Sequence, residues 1–206
     1  MISIINYGLG NLASVANMIR KAGGTAVVVN QPGDLVQAKK IILPGVGAFD
    51  RGMQLLREGG WIEVLNQKAM EEQVPVLGIC LGMQLMCQSS EEGTLPGLGW
   101  MNATVLRFQT SESQPIRIPH MGWNYVQPQK SHDLFHLSED AVYRYYFVHS
   151  YFVQCANAND VLATCNYGSS FTAAFSCNNL HGVQFHPEKS HRYGLELMKR
   201  FNQMPC

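Results

Sequence analysis

A chain of 206 residues, 46% hydrophobic and 15% charged, is long enough for one domain with a substantial core and too apolar for a disordered segment. Fifteen basic residues balance fifteen acidic ones and are scattered along the chain, which leaves no electrostatic footprint for a nucleic acid or an anionic membrane. No apolar run approaches the roughly 20 residues of a membrane span, and the start "MISIINYGLGN" lacks the basic residues of a secretory signal, so the protein is expected in the cytoplasm.

In chain order, the first half alternates short β-like runs with helical patterns. "ISIINY" precedes a helix over 12–22, "TAVVV" a short segment, "KKIILP" helical patterns across 53–72, and "VPVLGI" a helix over 81–89. This rhythm predicts an α/β fold, with a mostly parallel central sheet flanked by helices and functional loops at the strand C-termini. From about 99 to 178, "MNATVLRF", "AVYRYYFVHSYFVQC" and "DVLATCNYG" read as strands between polar turns, so the second half is expected to be β-rich. "LHGVQFH" and a helix near 191–202 close the chain, and the apolar Leu195, Leu197, Met198 and Phe201 mark one helix face loosely. With no repeat, linker or low-complexity segment, residues 1–206 are expected to form a single domain.

Three segments at predicted strand ends carry chemistry. "VPVLGICLGMQLM", residues 74–86, holds Cys80 between Gly78 and Gly82 at a strand-to-helix turn, where a thiolate faces outward near a helix N-terminus. "LPGVGAF", residues 43–49, offers a glycine-flanked backbone whose amides can turn toward an oxyanion. "GVQFHPEKS", residues 182–190, sets His186 and Glu188 at i and i+2, on one side of an expected extended segment, so the carboxylate can orient the imidazole. A fourth segment, "NYGLGNLAS", matches a permissive dinucleotide fingerprint through Gly8, Gly10 and Ala13. The acidic residue that should end the second strand is replaced by Asn30, so a tight structural turn is the expected reading and no cofactor is implied.

The six cysteines, at 80, 87, 155, 165, 177 and 206, show no CxxC pair and no zinc spacing; they are expected as free thiols, all but Cys80 serving as small core residues. The His186/Glu188 pair has no third residue at metal-ligand spacing, so no metal is expected. Nucleophile, amide cradle and oriented base together form the kit for acyl transfer through a thioester. On these residues alone, amide transfer and a cysteine peptidase or esterase remain equally open.

The set "PGVGAF", "GICLGMQL", "PHMGWN", "YFVHSY" and "GVQFHPEKS" resembles the class I glutamine amidotransferases over nearly the whole chain. "PHMGWN" and "FVHSY" are more particular to the glutaminase subunits of imidazole glycerol phosphate synthases, of histidine biosynthesis. The resemblance implies that Cys80 attacks the side-chain amide of glutamine, that His186 shuttles the proton, and that Glu188 orients His186. It places an oxyanion hole at Val46, Gly47 and Leu81, and glutamine-binding positions at Gly45, Gly82, Gln84, Glu92, His149, Ser150 and Tyr151. It further implies a heterodimer with a (β/α)₈-barrel cyclase subunit that receives the ammonia. His120, Met121, Trp123 and Asn124, in what reads as a glycine-containing turn, would meet that subunit together with Tyr146 and Lys189.

The segment "KSHRYGLELMKRF", residues 189–201, departs from the small residues common there in histidine-pathway members and looks closer to paralogues of surface-sugar pathways, which supply ammonia to a different acceptor. A stand-alone cysteine hydrolase and a noncatalytic scaffold are the remaining alternatives. The first would need no partner face, and the second no intact Cys80, His186 and Glu188.

Overall fold

The computed structural model describes residues 1–110, 115–137 and 141–205; Cys206, expected as a free thiol, lies outside them. The first half follows the predicted rhythm: β1 (Ile2–Ile5), α1 (Leu12–Lys21), β2 (Ala26–Val29), β3 (Ile41–Leu43), α2 (Phe49–Glu58), α3 (Trp61–Asn66), β4 (Val76–Ile79) and α4 (Leu81–Leu85). The second half runs β5 (Ser89–Ser90), β6 (Ala103–Arg107), β7 (His120–Pro128), β8 (Tyr143–His149), β9 (Tyr151–Cys155), β10 (Val161–Tyr167), β11 (Ser169–Cys177), β12 (Leu180–Val183) and α5 (His191–Gln203).

Among the described residues the strands join one sheet in the order β2-β1-β3-β4-β12-β11-β10-β7-β8, with β9 branching from β11 to β6 and β5. The five strands from β2 to β12 are parallel, and the pairs beyond β12 along this order are antiparallel. Side chains alternate across the parallel part, as the period of two requires. Ile2, Ile4, Ile42 and Leu77 pack on Val15 and Ile19 of α1 and Leu197, Met198 and Phe201 of α5. Ile5, Ile41, Leu43 and Val76 pack on Phe49, Met53 and Leu56 of α2 and Trp61 and Leu65 of α3. Leu195, expected on the apolar face of α5, is only half-buried, and Gly194 takes the buried place, because a Cβ there would meet the Pro187 carbonyl oxygen at 1.8 Å. No helix among the described residues is long and apolar enough to cross a membrane.

Two local expectations need correction. "PHMGWN" is no turn: His120–Asn124 opens the nine-residue strand β7, in register with β8 through His120↔His149, Met121↔Val148 and Trp123↔Tyr146. Gly122 takes a φ of +125°, which accommodates the glycine within the strand. His186 and Glu188 do not share an extended segment either. His186 is extended, but Pro187–Lys189 forms a 3₁₀ turn that folds the carboxylate back onto the imidazole.

Candidate active site

Cys80 stands where parallel β4 ends and α4 begins, with φ +53° and ψ −108°, a backbone conformation that favours glycine. Strain of this kind persists only where the surroundings enforce it. Here the flanking glycines allow the enforcement. A Cβ on Gly78 would come within 2.7 Å of the Met83 amide nitrogen, and one on Gly82 within 1.8 Å of the Leu43 carbonyl oxygen. The helix can therefore start immediately against the end of β3, with the Cys80 amide donating to Val183 of β12 at 2.8 Å.

The glycine loop after β3 leans on the same turn. A Cβ on Gly45 would meet the Tyr7 hydroxyl at 2.7 Å and the Gly82 nitrogen at 2.8 Å, and the Tyr7 hydroxyl donates to the Pro44 carbonyl at 2.8 Å. Gly45 and Gly82 thus stand behind the wall of the site, while Val46 and Gly47, the latter at φ +102°, face it. On the far side of Pro44, Gly10 packs in the tight turn "NYGLGNLAS", with φ +108°.

A cavity of about 340 Å³ opens over this turn, and Cys80, Leu81, Gln84, Val46 and Gly47 form one wall. His149, Ser150 and Tyr151, from β8 and the start of β9, form the opposite wall, and Glu92 and His186 complete the lining. Eleven of the positions singled out in the sequence are therefore assigned a place: ten in the lining, with Glu188 directly behind His186. His186 Nδ1 and Glu188 Oε1 lie 2.8 Å apart, both side chains almost wholly buried. Burial alone would lower His186, but the adjacent Cys80 sulfur and the Glu188 carboxylate outweigh it and raise the imidazole to about 10. Its Nε2 is buried on the cavity side, and the adjacent Cys80 sulfur is the group it meets there. Ser190 locks the turn from behind: its hydroxyl donates to the His186 carbonyl at 2.6 Å and accepts from the Tyr146 amide at 3.0 Å.

Glu92 accepts from the Phe49 amide at 2.9 Å and so caps α2 from across the chain; burial pushes its carboxyl up, against the pull of that amide. Opposite Cys80, hydrogen bonds fix the wall in a definite order. His149 Nδ1 lies 2.7 Å from the Tyr151 carbonyl and must donate to it, which makes Nε2 the acceptor for His120 Nδ1 at 3.0 Å. His120 Nε2 in turn faces Asn124 Nδ2 at 3.3 Å. Burial lowers both rings, His120 to about 4 and His149 to about 3, so both are neutral near pH 7.

His120, expected at the partner face, has a side chain 2% exposed, stacked between Phe147 and Tyr167, and belongs to the interior. The strand alternation explains it: Met121, Trp123 and Tyr125 point the other way, beside Val148, Tyr146 and Arg144 of β8. Met121 is 61% exposed. Arg144 lies 5.6 Å over the rings of Trp123 and Tyr125, Lys189 lies 5.7 Å over Tyr146, and His191 stacks parallel on Trp123 at 5.5 Å. Asn124 is half-buried and holds the Asn166 carbonyl at 3.0 Å. Motif reading does not find Gln184, whose amide reaches the Cys80 sulfur, nor Tyr7; neither has any signal in sequence spacing. The five described cysteines other than Cys206 are free, and among the described residues no cluster of three metal-ligating side chains occurs.

A family profile described as "Glutamine amidotransferase class-I" matches residues 3–203. The chain is 50% identical to the imidazole glycerol phosphate synthase subunit HisH 2 of Methanococcus maripaludis, covering 98% of each chain. It is 47% identical to the subunit of the same name from Pseudomonas aeruginosa, covering 99% of this chain and all of that one. Among solved structures, a putative GMP synthase subunit from Thermoplasma acidophilum shares the fold, with a TM-score of 0.71 at 17% identity over 98% of this chain and 91% of that one. With the thiol, imidazole and carboxylate already gathered at one cavity, these matches settle the kinship: the chain belongs to the class I glutamine amidotransferases, in the group of HisH subunits of imidazole glycerol phosphate synthase.

Proposed function

We propose that the protein is the glutaminase subunit of an imidazole glycerol phosphate synthase in histidine biosynthesis, releasing ammonia from glutamine for use by a cyclase subunit. The observation that carries this reading is the convergence of Cys80, on its strained turn, with the His186–Glu188 pair at one cavity. His186 takes the Cys80 proton, and the thiolate attacks the side-chain carbonyl carbon of glutamine. The negative oxygen is held by amides of Leu81 and of the Val46–Gly47 loop. His186 then gives its proton to the departing nitrogen, which leaves as ammonia, and Cys80 is left as a thioester. Water, deprotonated by His186, cleaves the thioester to glutamate and restores the thiol. Glu188 keeps the imidazole oriented and balances its charge. Gln84, Glu92, His149, Ser150 and Tyr151 hold the glutamine.

The cyclase subunit is a (β/α)₈ barrel that docks on the Met121–Trp123–Tyr146–Lys189 face. Val148, which lines the cavity, pairs with Met121, so this face borders the mouth from which ammonia leaves. Ammonia made with no acceptor at hand is wasted, so the amides of "PGVG" complete the oxyanion hole only when the liganded barrel is bound. A coupling of about 3 kcal/mol already corresponds to roughly 150-fold. Glutamate release should be slowest for the isolated chain, faster once the barrel subunit binds and fastest when that subunit holds its ligand. Cys80→Ala should abolish it, by about 10⁴-fold or more. Trp123→Ala should weaken stimulation more than the basal rate. Substantial turnover by Cys80→Ala would refute the chemistry, and an isolated chain as fast as the liganded complex would refute the partner and leave a stand-alone cysteine hydrolase.

A second reading keeps the chemistry and changes the ammonia acceptor to a surface sugar. One observation favours it: His191 and Arg192 add bulk and charge beside Trp123. Rescue of a histidine auxotroph lacking its own glutaminase subunit supports the first reading, and failure of rescue by a folded, active chain supports the second.

A further inference from the structure

Gln184 is 0% exposed and sits two residues before His186, just past the end of β12. Its Oε1 accepts from Gln84 Nε2 at 3.0 Å, and its Nε2 lies 3.7 Å from the Cys80 sulfur, within hydrogen-bond range for sulfur. Gln84 Nε2 also donates to the Tyr151 carbonyl at 3.0 Å, so both of its hydrogens are committed. This fixes the direction of the second amide. Were Gln184 flipped, its NH₂ would face the Gln84 NH₂, donor against donor, and its oxygen would face the sulfur. A buried amide is costly where a leucine or methionine would fill the same space. What the amide adds here is an N–H aimed at the reacting atom. His186 also meets the Cys80 sulfur, so Gln184 stands beside it as a further side-chain donor aimed at the reacting atom.

We propose that Gln184 is a further catalytic residue of this glutaminase site, the hydrogen-bond donor that holds the Cys80 thiolate for attack on glutamine and holds it again as the leaving group when the thioester is hydrolysed. The proposal rests on the assignment of Cys80 as the nucleophile. Hydrogen bonds to charged acceptors are about twice as strong as neutral ones, so the N–H favours thiolate over thiol. Intrinsic nucleophilicity falls only partly as a thiol becomes more acidic, which leaves a net gain in attack rate near neutral pH.

The test follows the reaction of Cys80 with iodoacetamide against pH in the full chain, with the adduct located by fragment mass spectra and folding checked by near-ultraviolet circular dichroism. Gln184→Met removes the donor and should slow Cys80 alkylation at pH 7 by roughly 3- to 15-fold, the factor of one hydrogen bond to a charged group reduced by the greater nucleophilicity of the freed thiolate. Gln184→Glu preserves the acceptor for Gln84 and donates only while protonated, so its rate relative to the native chain should fall as the new carboxyl ionises. Native alkylation rates in folded Gln184→Met, or a Gln184→Glu ratio flat with pH, would overturn the proposal; if Gln184→Met fails to fold, the Gln184→Glu ratio decides. Failure of the glutaminase reading itself would appear separately, as glutamine turnover retained by Cys80→Ala.

Discussion

On the parallel side of the cavity, Gly45, Gly78 and Gly82 bring the ends of β3 and β4 and the start of α4 into direct backbone contact. On the antiparallel side, the facing wall is held by side chains: His149 on the Tyr151 carbonyl, His120 on His149, Asn124 beside His120. At Gly45, Gly78 and Gly82 the first wall has no slack, since a side chain there collides with a neighbour, whereas Gly47 at the loop tip has open space around it. The second is adjustable by one proton or one rotamer, and it backs onto β7, whose outer face carries Met121 and Trp123. The turn that presents the nucleophile and the wall that faces it are thus built from different materials.

The largest effect should come from the rigid wall. Gly82→Ala would set a methyl group 1.8 Å from the Leu43 carbonyl oxygen. Because the contact is backbone, it can be relieved only by moving α4, and both Cys80 presentation and stability should suffer. We expect glutamine hydrolysis to vanish and urea unfolding to show a loss of about 3 kcal/mol, the upper end for overpacking. A stable, active Gly82→Ala protein would break the contrast between the walls.

Next in size is the support of the imidazole. Glu188→Gln preserves shape but cannot balance a charged His186, and it should slow the chemical step by orders of magnitude less than Cys80→Ala does. Equal inactivity of the two variants at the acylation step would give Glu188 a more direct part. The pH dependence has a fixed sign. His186 is raised from 6.5 to about 10, so its contribution to stability is complete below about pH 6.5 and is lost as pH rises through about 10. Chemical denaturation should therefore show Glu188→Gln furthest below the native protein near pH 6.5, with the gap closing toward pH 10.

The smallest effect should come from the adjustable wall. His120 is lowered to about 4, so its neutral form stabilises the fold above pH 6.5, and that contribution is lost as pH falls toward 4. His120→Phe retains the ring between Phe147 and Tyr167 but removes this titration. Between pH 6.5 and 4, stability should then fall less steeply, by about 1.4 kcal/mol per pH unit. An unchanged slope would show that His120 is protonated within the fold and would sharpen the search for what answers its charge.

The same contrast decides how much can be read without coordinates. Backbone close approach requires glycine, and glycine is visible in sequence, so "GICLG" and "PGVG" announce the turn and the loop, and the βαβ rhythm sets them on one edge of the sheet. Side-chain bonding leaves no such trace. "PHMGWN" reads as a turn because of Pro119 and Gly122, and only pairing with β8 makes it a strand, with His120 inside and Trp123 outside. The strand β11, "SSFTAAFSC", lies within the expected β-rich stretch but is not singled out by alternation, since Phe171 to Ser176 are all buried, on both faces of the sheet. His186 and Glu188 meet as expected but through a 3₁₀ turn, since Pro187 fits the first position of such a turn as readily as it fits an extended chain. Gln184 is silent in the sequence because nothing in its spacing distinguishes an amide aimed at a thiol from any other buried polar residue.

The most direct measurement treats the protein, in the presence of the proposed cyclase subunit, with a diazoketone analogue of glutamine and locates the covalent adduct by fragment mass spectra. The competing thiol is Cys87, seven residues on, fully buried, its thiol pushed well up by that burial and directed at the Met83 carbonyl. A single adduct is expected on Cys80, blocked by excess glutamine and absent from Cys80→Ala. An adduct forming first on Cys87, or forming equally well in Cys80→Ala, would contradict that expectation.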